Sequence, residues 1–281
     1  MAVSPGDGVF TTLPFDGERR VLDPAWQFER LAEHAERLGI ALPAELVRVV
    51  IARLPAAVEA WMTAVVDGSG SPADESGAVG GAVPSALQPP ALLRVAVSRR
   101  GEVELTVRTP FPIRDACEVA AVAHPAPRFA ARIAGTKHAA WQPYEEARRH
   151  AAAAGAEMAL LVVDDAIVDG DRAAPVLLDS DGVAFHAAPE QGGVESLTLR
   201  AVASAVIAAG IPMRPARLTR DMVARCREMV VVGSGVGVAR IFDIDGQPVG
   251  DAAPGALYGA LASAQAERLV SGWTGLDEVV A

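Results

Sequence analysis

Residues 134–141 read Ala134-Gly135-Thr136-Lys137-His138-Ala139-Ala140-Trp141, a small, apolar stretch that leads into a helical pattern opening at Pro143. Lys137 is the only lysine among 281 residues, so 24 of the 25 basic side chains are arginine. The alanine, arginine and glycine load points to GC-rich coding, which depletes lysine without a functional cause. Coding bias does not explain where the exception falls. An arginine, with a pKa above about 12, supplies no neutral amine at ordinary pH. A lysine among apolar neighbours loses solvation, its pKa falls, and its amine becomes a nucleophile toward carbonyls.

Outward from that stretch the pattern alternates between strand and helix. On the N-terminal side, Asp23-Pro24 followed by Trp26, Leu31, His34, Ala35 and Leu38, then Gly39, predicts an amphipathic helix. Asp23 is its expected N-cap, Pro24 its first residue and Gly39 its C′ residue. A second helix is expected from Pro43 to about Val65, interrupted or kinked at Pro55. Residues 67–90, rich in glycine, serine, proline and alanine, predict a flexible insertion. Leu93–Ser98 and Val103–Val107 predict a hairpin around Arg99-Arg100-Gly101. Thr109-Pro110-Phe111-Pro112 is the expected junction between a small N-terminal domain, 1–110, and a larger C-terminal one, 111–281. Beyond it, strands are expected at Val119–Ala123, Met158–Val163, Pro175–Leu178, Met213–Arg217, Met229–Val232 and Val238–Phe242. Helices are expected at Pro143–Gly155, Leu197–Ala209 and about Pro254–Val270. The class is α+β.

Several functions are disfavoured. With 35 acidic residues and a net charge of −10, the chain lacks the basic face of a sequence-independent nucleic-acid or anionic-membrane binder. The apolar run Ala201–Ile211 is far short of a spanning helix, and Met1–Gly6 does not resemble a signal peptide. A cytoplasmic location is expected. Cys117 and Cys226 allow no disulfide framework, and five scattered histidines give no metal-site spacing, so no metal is expected.

The chemistry open to Lys137 is that of a Schiff base with pyridoxal phosphate. Such a site needs a carboxylate for the pyridine nitrogen and a cup for the phosphate. Asp169, in Ile167-Val168-Asp169-Gly170, is the candidate carboxylate; its plainer reading is an Asp-Gly turn. Arg30, the helix start at Ser196–Arg200 and the loop Gly233-Ser234-Gly235 are candidates for the cup. Their plainer readings are a solvated helix face and an ordinary tight turn.

In their order, these motifs resemble fold-type IV pyridoxal-phosphate enzymes, the aminotransferase class IV family. Gly6-Asp7-Gly8-Val9-Phe10-Thr11-Thr12 resembles the family's opening segment, and Gln27-Phe28-Glu29-Arg30-Leu31 its arginine-bearing helix. Lys137-His138 matches its Schiff-base lysine, and Ile167–Gly170 the strand with its ring-pairing carboxylate. Gly193–Arg200, Val232–Val236 and Asp243–Gly250 match its later segments. The resemblance implies a two-domain, D-amino-acid aminotransferase-like fold binding pyridoxal 5'-phosphate. It implies that Arg30, Thr198, Leu199 and Ser234 hold the phosphate, with the backbone N–H groups serving at 198 and 199. Asp169 then pairs with the ring, and Gly235 and Val236 meet the substrate. A small-molecule substrate and a homodimer are implied as well.

Phe10-Thr11-Thr12 and Lys137-His138 further resemble 4-amino-4-deoxychorismate lyases, in which the second threonine, here Thr12, handles protons. That implies loss of pyruvate to give 4-aminobenzoate for folate biosynthesis. Two alternatives stay open: an aminotransferase of branched-chain or D-amino acids, and a degenerate member without tight cofactor binding. The chain departs from the family at Gln27, which replaces a histidine, and at Asp169, which replaces a glutamate. Trp141 and Leu197 depart as well, the first standing near a tyrosine or arginine and the second replacing a glycine.

Overall fold

The computed structural model describes residues 3–67, 86–111 and 118–279. Of the expected insertion, residues 68–85 lie outside the described residues, as do Pro112 of the junction and Cys117.

The chain opens with strands β1 (Gly8–Phe15) and β2 (Arg20–Leu22), helices α1 (Pro24–Leu38) and α2 (Leu46–Val66), and the hairpin β3 (Ala91–Ser98) and β4 (Val103–Arg108). It continues through β5 (Glu118–Pro125), α3 (Gln142–Ala153), β6 (Met158–Val163), β7 (Ala166–Gly170), β8 (Ala174–Leu178) and β9 (Ala184–Ala187). Then come α4 (Leu197–Ala208), β10 (Met213–Ala216), β11 (Leu218–Thr219), α5 (Arg220–Arg225) and β12 (Glu228–Gly233). The last elements are β13 (Gly237–Ile244), β14 (Gln247–Pro248), α6 (Ala256–Ser271) and β15 (Trp273–Gly275). The fold is α+β, built on two sheets.

The first sheet has the order β15-β2-β1-β3-β4 and is antiparallel throughout. One face packs Leu13, Phe15, Leu93 and Val95 against Leu31 and Ala35 of α1 and Val50 and Leu54 of α2. Pro55 lies inside α2 without ending it. With a mean hydropathy of 1.6, α2 is long and apolar enough to cross a membrane, unlike Ala201–Ile211. Here it packs along β4. Asp23 is the N-cap residue and Pro24 opens the helix as expected, but at a φ of 49° the Asp23 side chain makes no cap bond, because side-chain capping needs an extended backbone. Its carboxylate instead accepts from Arg268 Nε on α6 at 3.1 Å.

The second sheet runs β10-β9-β8-β12-β13-β5-β6-β7-β11, with β14 beside β13. Its two edge strands, β10 and β11, are separated in sequence by Arg217 alone. Ala216 and Leu218 are therefore within about 7 Å, so the sheet curls until its edges meet, like a barrel. The period of two sorts its residues. Met229 and Val231 of β12 join Met158, Leu160, Leu177 and Ile241 in one cluster. Val230 and Val232 pack under α4 and α6, while α3 covers Ala159 and Leu161 on β6.

Candidate active site

The segment between β5 and α3 is stitched to β1. The Phe10 N–H donates to the Lys137 carbonyl at 3.0 Å, and the Ala139 N–H donates to the Gly8 carbonyl at 2.8 Å. The Lys137 N–H donates to His34 Nδ1 at 3.2 Å. Burial, reinforced by the charges of Arg30 and Lys137, lowers the His34 pKa to about 3, so the ring is a neutral acceptor. Lys137 itself lines a cavity between the two sheets. Its Nζ lies 5.2 Å from the ring centres of both Phe10 and Trp141. Burial, helped by the Arg30 charge and opposed by Asp169, brings its pKa down to about 7. An ammonium that gives up its proton near neutrality is what a nucleophilic amine requires.

Asp169 lines the same cavity. It is not in an Asp-Gly turn: it lies in β7, opposite Leu161. Its Oδ2 accepts from the Val194 N–H and its Oδ1 from the Gly170 N–H, both at 2.9 Å. Burial raises its pKa to about 7 despite those two bonds and the Lys137 charge. Gly193 permits the Val194 contact, because a Cβ there would sit 2.0 Å from the Val168 carbonyl oxygen.

At another part of the cavity, Arg30 reaches from α1. Its Nη1 donates to the Glu195 carbonyl at 2.8 Å. Its Nη2 donates to Gln27 Oε1 at 3.0 Å and to Thr11 Oγ1 at 3.1 Å. Gln27 also accepts from the Thr11 hydroxyl at 2.6 Å, so the departure at 27 orients the guanidinium. Burial lowers the Arg30 pKa to about 10, which leaves it a cation. Its buried Nε has no hydrogen-bond partner among the described residues. An orphaned donor of this kind calls for an anion. The Thr198 and Ser234 hydroxyls lie 3.4 Å apart, and Ser234 lines the cavity with Ser196 and Leu197 at the start of α4. Leu199 differs from its expected role. Its N–H donates to Ser196 Oγ at 3.2 Å, because Ser196 is the helix cap.

Thr12, Gly235 and Val236 also line the cavity. Strand alternation explains the Phe10-Thr11-Thr12 run: 10 and 12 face the cavity while Thr11 faces α1. Among the described residues, no His, Cys, Asp and Glu group suits a metal.

Among the lining side chains to which the sequence reading gave no role are Arg108, Tyr144, Arg148, Asp171 and Arg172. Tyr144 stacks on Trp141 with centroids 3.8 Å apart and planes 3° from parallel. Its position on one helical face with Ala147 and Ala151 was a signal that could have found it. The three arginines carried no such signal in a chain this rich in arginine.

A family model described as amino-transferase class IV matches residues 8–244, and the chain belongs to that family. Solved structures share its fold. A fold IV-transaminase from Curtobacterium pusillum is 21% identical with a TM-score of 0.68, the match covering 94% of this chain and 85% of that one. A branched-chain aminotransferase from Thermoproteus uzoniensis is 19% identical with a TM-score of 0.71, covering 96% and 90%. A hypothetical aminotransferase from Mycobacterium tuberculosis, in a PLP-bound form, is 21% identical with a TM-score of 0.67, covering 95% and 89%. No curated protein matches the chain.

Proposed function

We propose that this cavity binds pyridoxal 5'-phosphate and that the chain transfers amino groups between amino acids and oxo acids. The observation that carries the reading is the meeting of a pKa-lowered amine, Lys137, with the buried carboxylate of Asp169 and the orphaned Arg30 Nε in one cavity. Family membership and the PLP-bound Mycobacterium tuberculosis relative support it. When bound, the cofactor supplies an aldehyde for amine capture and a ring that withdraws electrons from the bond being broken. Arg30 Nε, with the Thr198 and Ser234 hydroxyls, holds the phosphate. Asp169 keeps a proton on the ring nitrogen, and its shorter side chain is met by the Val194 and Gly170 N–H groups. The Lys137 amine moves a proton at the substrate α-carbon. Gly235 and Val236 present backbone to the substrate carboxylate, and Phe10 and Trp141 keep water from the amine.

A second reading is the lyase that converts 4-amino-4-deoxychorismate to 4-aminobenzoate and pyruvate. The Thr12 side chain on the cavity face favours it, as a hydroxyl able to relay a proton. We also propose a homodimer, to be checked by sedimentation, and two domains, 1–110 and 111–281, with β15 returning to the first sheet.

The test is reduction with borohydride in the presence of pyridoxal phosphate, followed by peptide mass analysis. An adduct on a lysine side chain has only Lys137 to occupy. Loss of visible absorbance on adding an amino acid then marks transamination, and pyruvate release from aminodeoxychorismate marks the lyase. No adduct would leave a member of the family that keeps the fold without the cofactor.

A further inference from the structure

We propose that Gln88, which stands outside the cavity lining, is a positioning residue for it: by holding the Gly235 carbonyl it aims the Val236 N–H at the substrate's carboxylate. The inference rests on the amino-transfer reading of this cavity, which places that carboxylate at Gly235 and Val236, and deepens it by naming what orients the turn.

Gln88 lies just before β3 and is 6% exposed. Its Nε2 donates to the Gly235 carbonyl at 2.7 Å and to the Phe111 carbonyl. Both hydrogens of one side-chain amide are used, and they tie three separate segments of the chain together. The same stretch packs flush against the end of the β12–β13 turn. Gly237 has a φ of 70°, and a Cβ there would lie 2.0 Å from the Leu87 carbonyl oxygen. Only glycine combines that backbone with so close an approach. On α6 the buried Gln265 donates from Nε2 to the Leu87 carbonyl at 3.4 Å, so the Leu87–Gln88 stretch is held from behind as well.

Ser234–Val236 forms the loop between β12 and β13, whose last ladder pair is Gly233 with Gly237. Among the described residues, no backbone group of Ser234, Gly235 or Val236 bonds to another backbone group. The hairpin by itself therefore does not fix the Gly235–Val236 peptide, and the Gln88 amide does. Peptides among the described residues are trans, and in a trans peptide the carbonyl and the following N–H point in opposite directions. With the Gly235 oxygen turned to Gln88, the Val236 N–H is turned the other way, toward the cavity that Gly235 and Val236 line. Val236 is 2% exposed, and its N–H has no hydrogen-bond partner among the described residues. A buried N–H without an acceptor is costly, and a carboxylate oxygen makes the strongest acceptor for it. A flipped peptide would instead set a carbonyl oxygen against the carboxylate.

The test uses the protein reconstituted with pyridoxal phosphate. Acetate, isovalerate and 3-phenylpropionate, unreactive acids that share only the carboxylate, are titrated by calorimetry. At least one is expected to bind, and the Val236 amide proton should move downfield in the NMR spectrum as it does. Gln88→Met, which keeps the length and removes the donor, should weaken that acid roughly tenfold to a hundredfold, the worth of one charge-assisted hydrogen bond. KM for the best donor among L-leucine, L-glutamate and D-alanine should rise by a similar factor with kcat little changed, because the contact is made in ground and transition state alike. Pyridoxal phosphate affinity and the borohydride adduct at Lys137 should stay as in the parent. Gln88→Lys, which restores an N–H donor, should recover most of the lost affinity. Unchanged acid binding in a folded Gln88→Met protein overturns the proposal. A Val236 amide that no acid moves overturns it too, and that result stands where the methionine variant fails to fold. Acid binding that Gln88→Met weakens, in a protein that forms no adduct, upholds the role of Gln88 and overturns the cofactor reading.

Discussion

The Phe10 N–H donates to the Lys137 carbonyl at 3.0 Å, so the strand that presents Thr12 to the cavity also sets the reach of the amine. His34 fixes the other side of the same peptide by accepting the Lys137 N–H. Replacing His34 by leucine removes the acceptor and leaves that N–H unpaired. The expected cost is about 1–3 kcal/mol of stability, read by denaturant unfolding, together with slower adduct formation at Lys137. His34→Gln, which keeps an acceptor, should recover part of both. A leucine variant with unchanged stability and adduct rate would show that β1 alone positions the lysine.

Lys137 and Asp169 impose opposite pH dependences on the cofactor-free protein. Asp169 is raised from 3.8 to about 7, so the folded state holds a proton that the unfolded state has released. Its contribution to stability is fully present below pH 3.8 and falls as pH rises toward 7. Lys137 is lowered from 10.5 to about 7, so between pH 7 and 10.5 the unfolded state binds the extra proton and stability rises with pH. Their joint contribution has a minimum near pH 7, superposed on the rise up to about pH 6.5 that His34 and His138, lowered by burial to about 3 and about 4, supply. On either side of that minimum, the joint contribution changes by at most about 1.4 kcal/mol per pH unit, the worth of one proton bound in one state and not the other. Thermal unfolding from pH 4 to 10 checks this. Relative to the parent, Asp169→Asn should gain stability as pH rises from 4 to 7, and Lys137→Met should lose it from 7 to 10. Curves that overlay the parent would sink the assignment of buried ionisation to these two groups.

Much of this fold is legible in the sequence because local pattern and burial agree. Met158–Val163 reads as a strand and is one with the same bounds, and α1 ends at Gly39 in a left-handed conformation, φ 67°, as its glycine indicated. Strand β1 was recognised only as part of a motif, because all eight of its residues are buried and leave no alternation to read. The same holds for β7, whose Asp169 looked like a turn residue. The meeting of β10 with β11 across the curled sheet and the return of β15 to β2 are non-local pairings, and no local period announces them. Lys137, Asp169 and Arg30 were legible because each residue type suits the chemistry. The Arg148–Asp171–Arg172 group joins positions 23 residues apart on α3 and past β7, and only the folded chain brings them together.

Gly193 tests how closely backbone packing controls Asp169. A Cβ at this position would lie 2.0 Å from the Val168 oxygen and 3.4 Å from the Asp169 Cβ. Gly193→Ala must therefore push residues 192–194 outward and lengthen the Val194 bond to the carboxylate. We expect a loss of roughly 1–3 kcal/mol, the usual cost of overpacking. Without that N–H the Asp169 pKa rises further, since the bond favours the charged form. Infrared or NMR titration of the carboxyl group reads the change, and a titration unchanged from the parent would disconnect Gly193 from the site.

Arg30→Lys separates charge from geometry at the phosphate cup. Lysine retains the cation but cannot donate at once to Glu195, Gln27 and Thr11 while directing a further N–H into the cavity. Loss of one charge-assisted bond, about 1.5–3 kcal/mol, should weaken pyridoxal phosphate roughly tenfold to a hundredfold, measured by equilibrium dialysis. Pyridoxal without its phosphate should bind both proteins alike, because Arg30 is assigned to the phosphate alone. The Thr11–Gln27 bond at 2.6 Å should survive, so unfolding ought to change less than cofactor affinity. Equal weakening of pyridoxal and its phosphate would place Arg30 elsewhere in the site and leave its buried Nε without an anion to meet.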